Sequence, residues 1–222
     1  MEENAAIIVQ NVTREFKKQV VLNDVSIDFD MGKIYGIIGR NGSGKTVLLK
    51  CILGLLSPSD GTVTVNGKVI GKDIDFPENA GFIIETPGFL QNYSGLKNLK
   101  YLASIKKQID VKTIRKFMKL VGLNPDDRKT VGKYSLGMRQ RLGIAQALME
   151  NPDIIILDEP MNALDHVGVE EIRNVILKMK EQGKLIIIAS HIREDIEVLC
   201  DEVYEMDGGK LRQCDFVEKK DK

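Results

Sequence analysis

Gly39-Arg40-Asn41-Gly42-Ser43-Gly44-Lys45-Thr46 fits the pattern G-x-x-x-x-G-K-[ST], and the reading of this stretch decides the rest of the chain. Upstream, Lys33-Ile34-Tyr35-Gly36-Ile37-Ile38 is a short apolar run that predicts a buried strand. Downstream, Val47-Leu48-Leu49-Lys50-Cys51-Ile52-Leu53 predicts a helix. A strand, a glycine-rich loop and a helix in that order let backbone N–H groups converge on phosphate oxygens at a helix N-terminus. Lys45 adds a point charge for the outer phosphates, and the Thr46 hydroxyl is a ligand for Mg²⁺. The stretch therefore predicts a nucleoside triphosphate with Mg²⁺ as ligand; a glycine-rich turn that merely starts a helix is the simpler alternative.

The chain has 222 residues, enough for one large α/β domain or two small lobes. Lysine plus arginine and aspartate plus glutamate number 32 each, so no global basic field argues for a nucleic-acid partner. Cys51, Cys200 and Cys214 are far apart and form no CxxC, which suits a reducing compartment and a core role for the first two. The start Met1-Glu2-Glu3-Asn4 is acidic, and no apolar run approaches about 18 residues. A soluble cytoplasmic chain is expected, with any membrane work left to another subunit.

Residues 7–16, Val20-Val21-Leu22 and Val25-Ser26-Ile27-Asp28-Phe29 predict short antiparallel strands ahead of the loop. Phe16, among them, is either a core residue or an aromatic on which a flat base could stack. Thr62 to Ile70 predicts a hairpin with Asn66-Gly67 at its tip, and Ala80 to Glu85 a strand ending in a carboxylate. From Leu96 to Val121 the apolar positions recur at helical spacing, so a helical lobe of about 88–150 is inserted into a single domain over 1–222. Its lysines, among them Lys97, Lys100, Lys112, Lys116 and Lys119, form either a solvated face or a docking surface. Ser135 is a natural N-cap for a helix running through Leu148. The tail from Glu218 to Lys222 is charged and takes no role.

Ile154-Ile155-Ile156-Leu157-Asp158-Glu159 is the profile of a central parallel strand with two acids at its C-terminal edge. Behind a phosphate loop, Asp158 can hold the Mg²⁺ shell, and Glu159 can orient or deprotonate an attacking water. A pair of acids that only caps a turn is the alternative. Gly183 to His191 predicts a further buried strand that delivers His191, a phosphate contact or a structural cap, to the same edge. Val203 to Leu211 closes the chain as a hairpin.

Taken together these motifs resemble, over essentially the full chain, the ATP-binding subunit of ABC transporters. Gly39 to Thr46 matches the Walker A loop, Ser135 to Arg141 the signature, Ile154 to Glu159 Walker B, Ala163-Leu164-Asp165 the D-loop and His191 the switch histidine. Phe16 falls at the A-loop aromatic position. The usual Leu-Ser-Gly-Gly-Gln signature is Tyr134-Ser135-Leu136-Gly137-Met138 here, which keeps Ser135 and Gly137, and Glu85 replaces the usual Q-loop glutamine. Both variants resemble the subgroup that exports peptide antibiotics such as bacitracin and lantibiotics, or gives immunity to them, with drug exporters as close relatives of that subgroup.

The resemblance implies a P-loop core with a mainly parallel sheet, an N-terminal antiparallel β subdomain and an inserted helical subdomain. It implies an ATPase with ATP and Mg²⁺, the metal held by Thr46, Asp158 and Glu85, and Glu159, His191 and Lys45 as catalytic groups. It further implies a head-to-tail dimer, homomeric or heteromeric, with each ATP held between one subunit's loop (Gly39, Arg40, Asn41, Gly42, Ser43, Gly44, Lys45, Thr46), its Phe16, and the other's Ser135 and Gly137. An integral membrane permease would hold this subunit at the inner face of the cell membrane. The competing readings are a regulatory ATP-binding switch without productive transport, against which Glu159 and His191 argue, and a P-loop kinase, against which the signature helix argues.

Overall fold

The computed structural model describes residues 5–85 and 87–214. The acidic residues 1–4, Thr86 and the charged tail 218–222 lie outside them. The elements in chain order are β1 (Ile7–Phe16), β2 (Gln19–Phe29), β3 (Ile34–Ile38), α1 (Lys45–Ile52), β4 (Asp60–Val65), β5 (Lys68–Val69), β6 (Ala80–Ile83), α2 (Gly95–Lys106), α3 (Val111–Leu120), α4 (Leu136–Leu148), β7 (Ile154–Asp158), α5 (His166–Glu181), β8 (Leu185–Ser190), α6 (Arg193–Leu199), β9 (Glu202–Asp207) and β10 (Lys210–Cys214). A single 3-10 turn, Val131–Lys133, precedes α4.

Two sheets divide the strands. The larger has the order β10-β9-β3-β8-β7-β6, parallel throughout except for the edge hairpin of β9 with β10. The smaller is β2-β1-β4-β5 and wholly antiparallel. Every residue of β3, β7 and β8 is buried, because a parallel strand covered on both faces has no side for water.

Alternation along those strands sorts the core into two. Ile34, Ile38, Ile155, Leu157, Ile186 and Ile188 point toward the layer of α4, α5 and α6. Tyr35, Ile37, Ile154, Ile156, Leu185 and Ile187 point toward α1 and the antiparallel sheet. The large sheet is therefore a two-sided platform, and β3, β7 and β8 all end at one edge, where α1 begins. Cys51 and Cys200 belong to these cores as expected; burial pushes the Cys51 thiol up to about 11, so neither is a reactive nucleophile at neutral pH.

Two sequence expectations are corrected, and one element was not foreseen. Val20–Leu22 and Val25–Phe29 are not two strands but parts of β2, joined through Asp24 at φ 56°. There β1 and β2 shift register opposite Asn11 at φ 48°, and Asn11 Nδ2 donates to Asp24 Oδ1 at 2.8 Å, so two turn-forming residues hold a bulge instead of ending the strand. The third apolar strand, β6, stops at Ile83 and leaves Glu85 beyond it at φ 58°. Last, α6 had no sequence prediction, since seven residues with acids in the first turn give too short a period to read.

Candidate nucleotide site

The site begins with two close backbone approaches. Gly39 has φ 157° and Gly44 φ 115°, and a Cβ at Gly39 would stand 2.4 Å from the Met206 carbonyl oxygen and one at Gly44 2.9 Å from that of Val21. Glycine is thus required twice over, by conformation and by space. The loop wraps over the N-terminus of α1, whose first turn has no side-chain cap. Its open N–H groups and the helix dipole favour an anion at that point.

Lys45 is the first residue of α1 and only 5% exposed. Its ammonium donates to the carbonyl oxygens of Gly39 at 2.6 Å and Arg40 at 3.3 Å, and lies 4.0 Å from Glu159 Oε1. The charge is held at the mouth of the loop by dipoles, with one distant carboxylate as counterion. Next to it, Thr46 Oγ1 donates to Asp158 Oδ2 at 2.8 Å. Burial raises the pKa of Asp158; the Thr46 hydrogen bond lowers it, the nearby charge of Glu159 raises it, and the Glu85 backbone N–H works against the rise.

Glu159 is turned back over this pair by a left-handed backbone, φ 51°, that its N–H fixes by donating to the Ala189 carbonyl oxygen at 2.8 Å. Such a conformation costs a non-glycine residue of the order of 1–2 kcal/mol, here at a strand end where a side chain must be re-aimed. Glu159 Oε2 accepts from Ser190 Oγ at 3.3 Å and lies 2.8 Å from His191 Nδ1. With the proton on Nδ1 the imidazole donates, and the carboxylate is held from two sides.

Gly44, Lys45, Thr46, Asp158 and Glu159 line one cavity of about 490 Å³, together with Asn41, Gly42, Ser43, Val47, Glu85, Pro87 and the α4 residues Leu136, Arg139 and Gln140. Of the four buried side-chain polar atoms without a hydrogen-bond partner among the described residues, two belong here, Ser43 Oγ and Asp158 Oδ1. Buried polar atoms are rarely left unpaired, so this pair fits a polar ligand with a hard cation. No cluster of three or more His, Cys, Asp or Glu among the described residues suits a metal ion, and Thr46 with Asp158 supplies fewer oxygens than a hard cation takes.

The remaining expected residues lie apart. Gly39 enters through its carbonyl, and Arg40 is exposed beside it. His191 reaches the cavity only through Glu159. Glu85 stands at the rim, but its carboxylate accepts from Lys50 Nζ at 2.7 Å. Phe16 is 41% exposed at the tip of β1, outside both cores and outside the cavity wall, with the Arg14 guanidinium 4.6 Å from its ring centroid. Ser135 Oγ caps α4 by accepting from the Met138 N–H at 3.1 Å, and it too is outside the wall. Gly137 is pressed on the D-loop, where a Cβ would stand 2.7 Å from the Ala163 carbonyl oxygen.

Gln140 was not foreseen. Its Nε2 donates to the carbonyl oxygens of both Glu159 and Pro160 at 3.1 Å and so ties α4 to the strained turn that aims Glu159. Its only signal is position, one helical turn beyond Ser135 and Leu136 on the side of α4 that meets the core.

A phosphate cradle over a helix N-terminus, a buried lysine and two acids at the neighbouring strand end define a P-loop nucleotide hydrolase. The ABC transporter family model matches residues 22–162. ABC transporter ATP-binding protein YybJ of Bacillus subtilis (strain 168) is 46% identical over 95% of this chain and 97% of its own length. Bacitracin transport ATP-binding protein BcrA of Enterococcus faecalis is 42% identical over 92% of this chain and 67% of its own length. Lantibiotic transport ATP-binding protein SrtF of Streptococcus pyogenes is 36% identical over 91% of this chain and 87% of its own. In fold, the chain is similar to a dimeric bacterial ABC transporter cassette, with TM-score 0.86 at 24% identity over 94% of this chain and 97% of that one. The chain belongs to the ABC transporter family and is an ATPase subunit of it.

Proposed function

We propose that this subunit hydrolyses Mg-ATP between two copies of the cassette fold and thereby drives a membrane permease that exports a peptide antibiotic of the bacitracin or lantibiotic type. The observation that carries the hydrolytic part is the placement of Glu159 at the cavity mouth, 4.0 Å from Lys45 and 2.8 Å from His191. An inert switch has no need of a carboxylate held in a strained backbone over its phosphate loop. The substrate class rests on BcrA and SrtF, which are a bacitracin and a lantibiotic transport protein.

In this reading the N–H groups of Gly42 to Thr46 bind the phosphates, and Lys45 supplies the charge-assisted contact to the outermost ones. Thr46 and Asp158 hold Mg²⁺, which when bound supplies neutralisation of phosphate charge. Glu85 is the third candidate for the metal, and to take that role it must give up Lys50. Glu159 orients a water and takes its proton as the water oxygen bonds to the γ-phosphorus. The bond from that phosphorus to the bridging oxygen breaks, and ADP leaves with the electron pair. His191 is a positioning residue for Glu159. Ser135, exposed at a helix N-terminus, and Gly137, half-buried against the D-loop, both off the cavity wall, are proposed to close on the phosphates of a second subunit, and Phe16 to stack on the base.

Among the described residues no helix is long and apolar enough to cross a membrane, which supports placing the permease on a separate partner at the inner face of the membrane. Removing the gene from its host and titrating growth against bacitracin and a lantibiotic tests the substrate class. Unchanged sensitivity to both would sink that part, and absence of steady-state ATP turnover by the purified chain with its permease would sink the motor.

A further inference from the structure

The chain's neutral total conceals a division. Residues 88–150 carry thirteen Lys and Arg against four Asp and Glu, a net charge of +9, and the rest of the chain therefore carries −9. On α3 the separation reaches its clearest form. Ile114, Phe117 and Met118 are buried on one side, while Lys112, Arg115, Lys116 and Lys119 follow at i, i+3, i+4 and i+7 on the other and line a shallow groove of about 480 Å³.

Elsewhere Lys33, Lys50, Lys68, Arg141, Arg173, Lys180 and Arg193 each have a carboxylate partner. On α3 only Arg115 does, with Asp126 at 2.7 Å; Lys112, Lys116 and Lys119 make no salt bridge among the described residues. Other exposed lysines, Lys72, Lys178 and Lys210 among them, also make no salt bridge among the described residues; what marks this face is that its unpaired lysines follow on successive turns of one helix and line one groove. Three like charges on successive turns repel one another by a few tenths of a kcal/mol per pair, a cost an external anion removes.

We propose that the α3 face is an electrostatic contact for anionic phospholipid headgroups, so that the subunit touches the inner leaflet directly as well as through its permease. Charge sign selects lipid over the permease. Cytoplasmic loops of membrane proteins carry an excess of Lys and Arg, which would repel this face, whereas the cytoplasmic leaflet is negative and attracts clustered basic residues. None of the four side chains is aromatic, so the face lacks the stacking platform that single-stranded nucleic acid uses. The contact is independent of which peptide is exported and of whether the two-subunit hydrolysis scheme holds.

Sedimentation of the full chain with vesicles of phosphatidylcholine alone, and of phosphatidylcholine mixed equally with phosphatidylglycerol, tests it. Binding is expected to the mixed vesicles only and to fall steeply at high salt. Lys112→Gln/Lys116→Gln/Lys119→Gln should weaken it on the order of a hundredfold. Lys72→Gln/Lys178→Gln/Lys210→Gln removes the same charge from exposed sites outside the face and should weaken it less than about tenfold, since charges beyond a Debye length are screened. All six lysines are exposed, and melting temperature and ATP turnover in solution verify that both triple variants fold. Equal loss in the two variants would overturn the proposal in favour of net charge, and equal binding to both vesicle types would overturn it in favour of apolar insertion. Undiminished vesicle binding by the α3 variant, with loss of permease-coupled turnover instead, would reassign the face to an acidic protein partner.

Discussion

The P-loop cavity and the N-terminus of α4 are the two proposed phosphate sites, yet one is closed and the other open. At the P-loop, Lys45 is held by loop carbonyls, Asp158 by the Thr46 hydroxyl and Glu159 by His191, with Lys45 and Glu159 4.0 Å apart, so the geometry exists within one chain. At α4, Ser135 satisfies only its own helix, and Leu136 beside it is 65% exposed. The difference teaches that, in the proposed scheme, one chain holds the chemistry and a second subunit meeting α4 sets its timing.

The strongest way to break this contrast is at the closed site. Glu159→Gln keeps the side chain's shape and removes the base, so turnover should fall roughly 10²–10⁴-fold while ATP affinity stays within about threefold of wild type. Single-turnover assays beside a binding titration measure both, and near-normal turnover would remove Glu159 from the mechanism.

At the open site the expected effect is on assembly. In the Glu159→Gln background, Ser135→Arg should abolish the ATP-dependent dimer in size exclusion and leave ATP binding to the monomer unchanged. Ser135→Ala serves as control for the lost cap, worth about 1 kcal/mol of helix stability. A dimer that survives the arginine would reject the shared site.

Glu85→Gln sharpens the boundary between the two regions. The pair with Lys50 is solvent-exposed and worth at most about 1 kcal/mol, so stability should hardly change. If Glu85 faces metal, the Mg²⁺ concentration for half-maximal turnover should shift a few-fold while ATP affinity does not. Flat values for both would leave Glu85 a rim residue.

The smallest effect is a pH dependence. Because burial raises the folded-state pKa of Asp158 above its ordinary 3.8, the ionised carboxylate costs stability at neutral pH, and that cost fades as pH falls through the folded pKa toward 3.8. Asp158→Asn should therefore raise the melting temperature of the nucleotide-free protein at pH 8, with the gain shrinking as pH is lowered. A gain that is constant across pH would mean that desolvation of the carboxylate is not its source.

Much of this was legible along the chain. The glycine pattern, the unbroken apolar strands β3, β7 and β8, the Asn66-Gly67 turn and the serine cap of α4 are local signals, set by backbone conformation and burial within a few residues. Where local signals conflicted with tertiary pairing, the reading failed: Asp24 looks like a turn and is a bulge because β1 continues beside it.

The sequence by itself determined the ligand class, the two acids and the order of the elements, because each follows from residue type and short-range spacing. Only the tertiary structure decided which way those groups act. That Glu159 is turned by the Ala189 carbonyl and held by His191, that Gln140 braces its turn, and that the Glu85 carboxylate faces Lys50 all depend on contacts between residues 19 to 35 positions apart. So does the unpaired charge on α3, since a lysine is unpaired only when folding brings no carboxylate to it. Spacing along a chain records what a residue can do, and the packing of distant elements fixes which partner it meets.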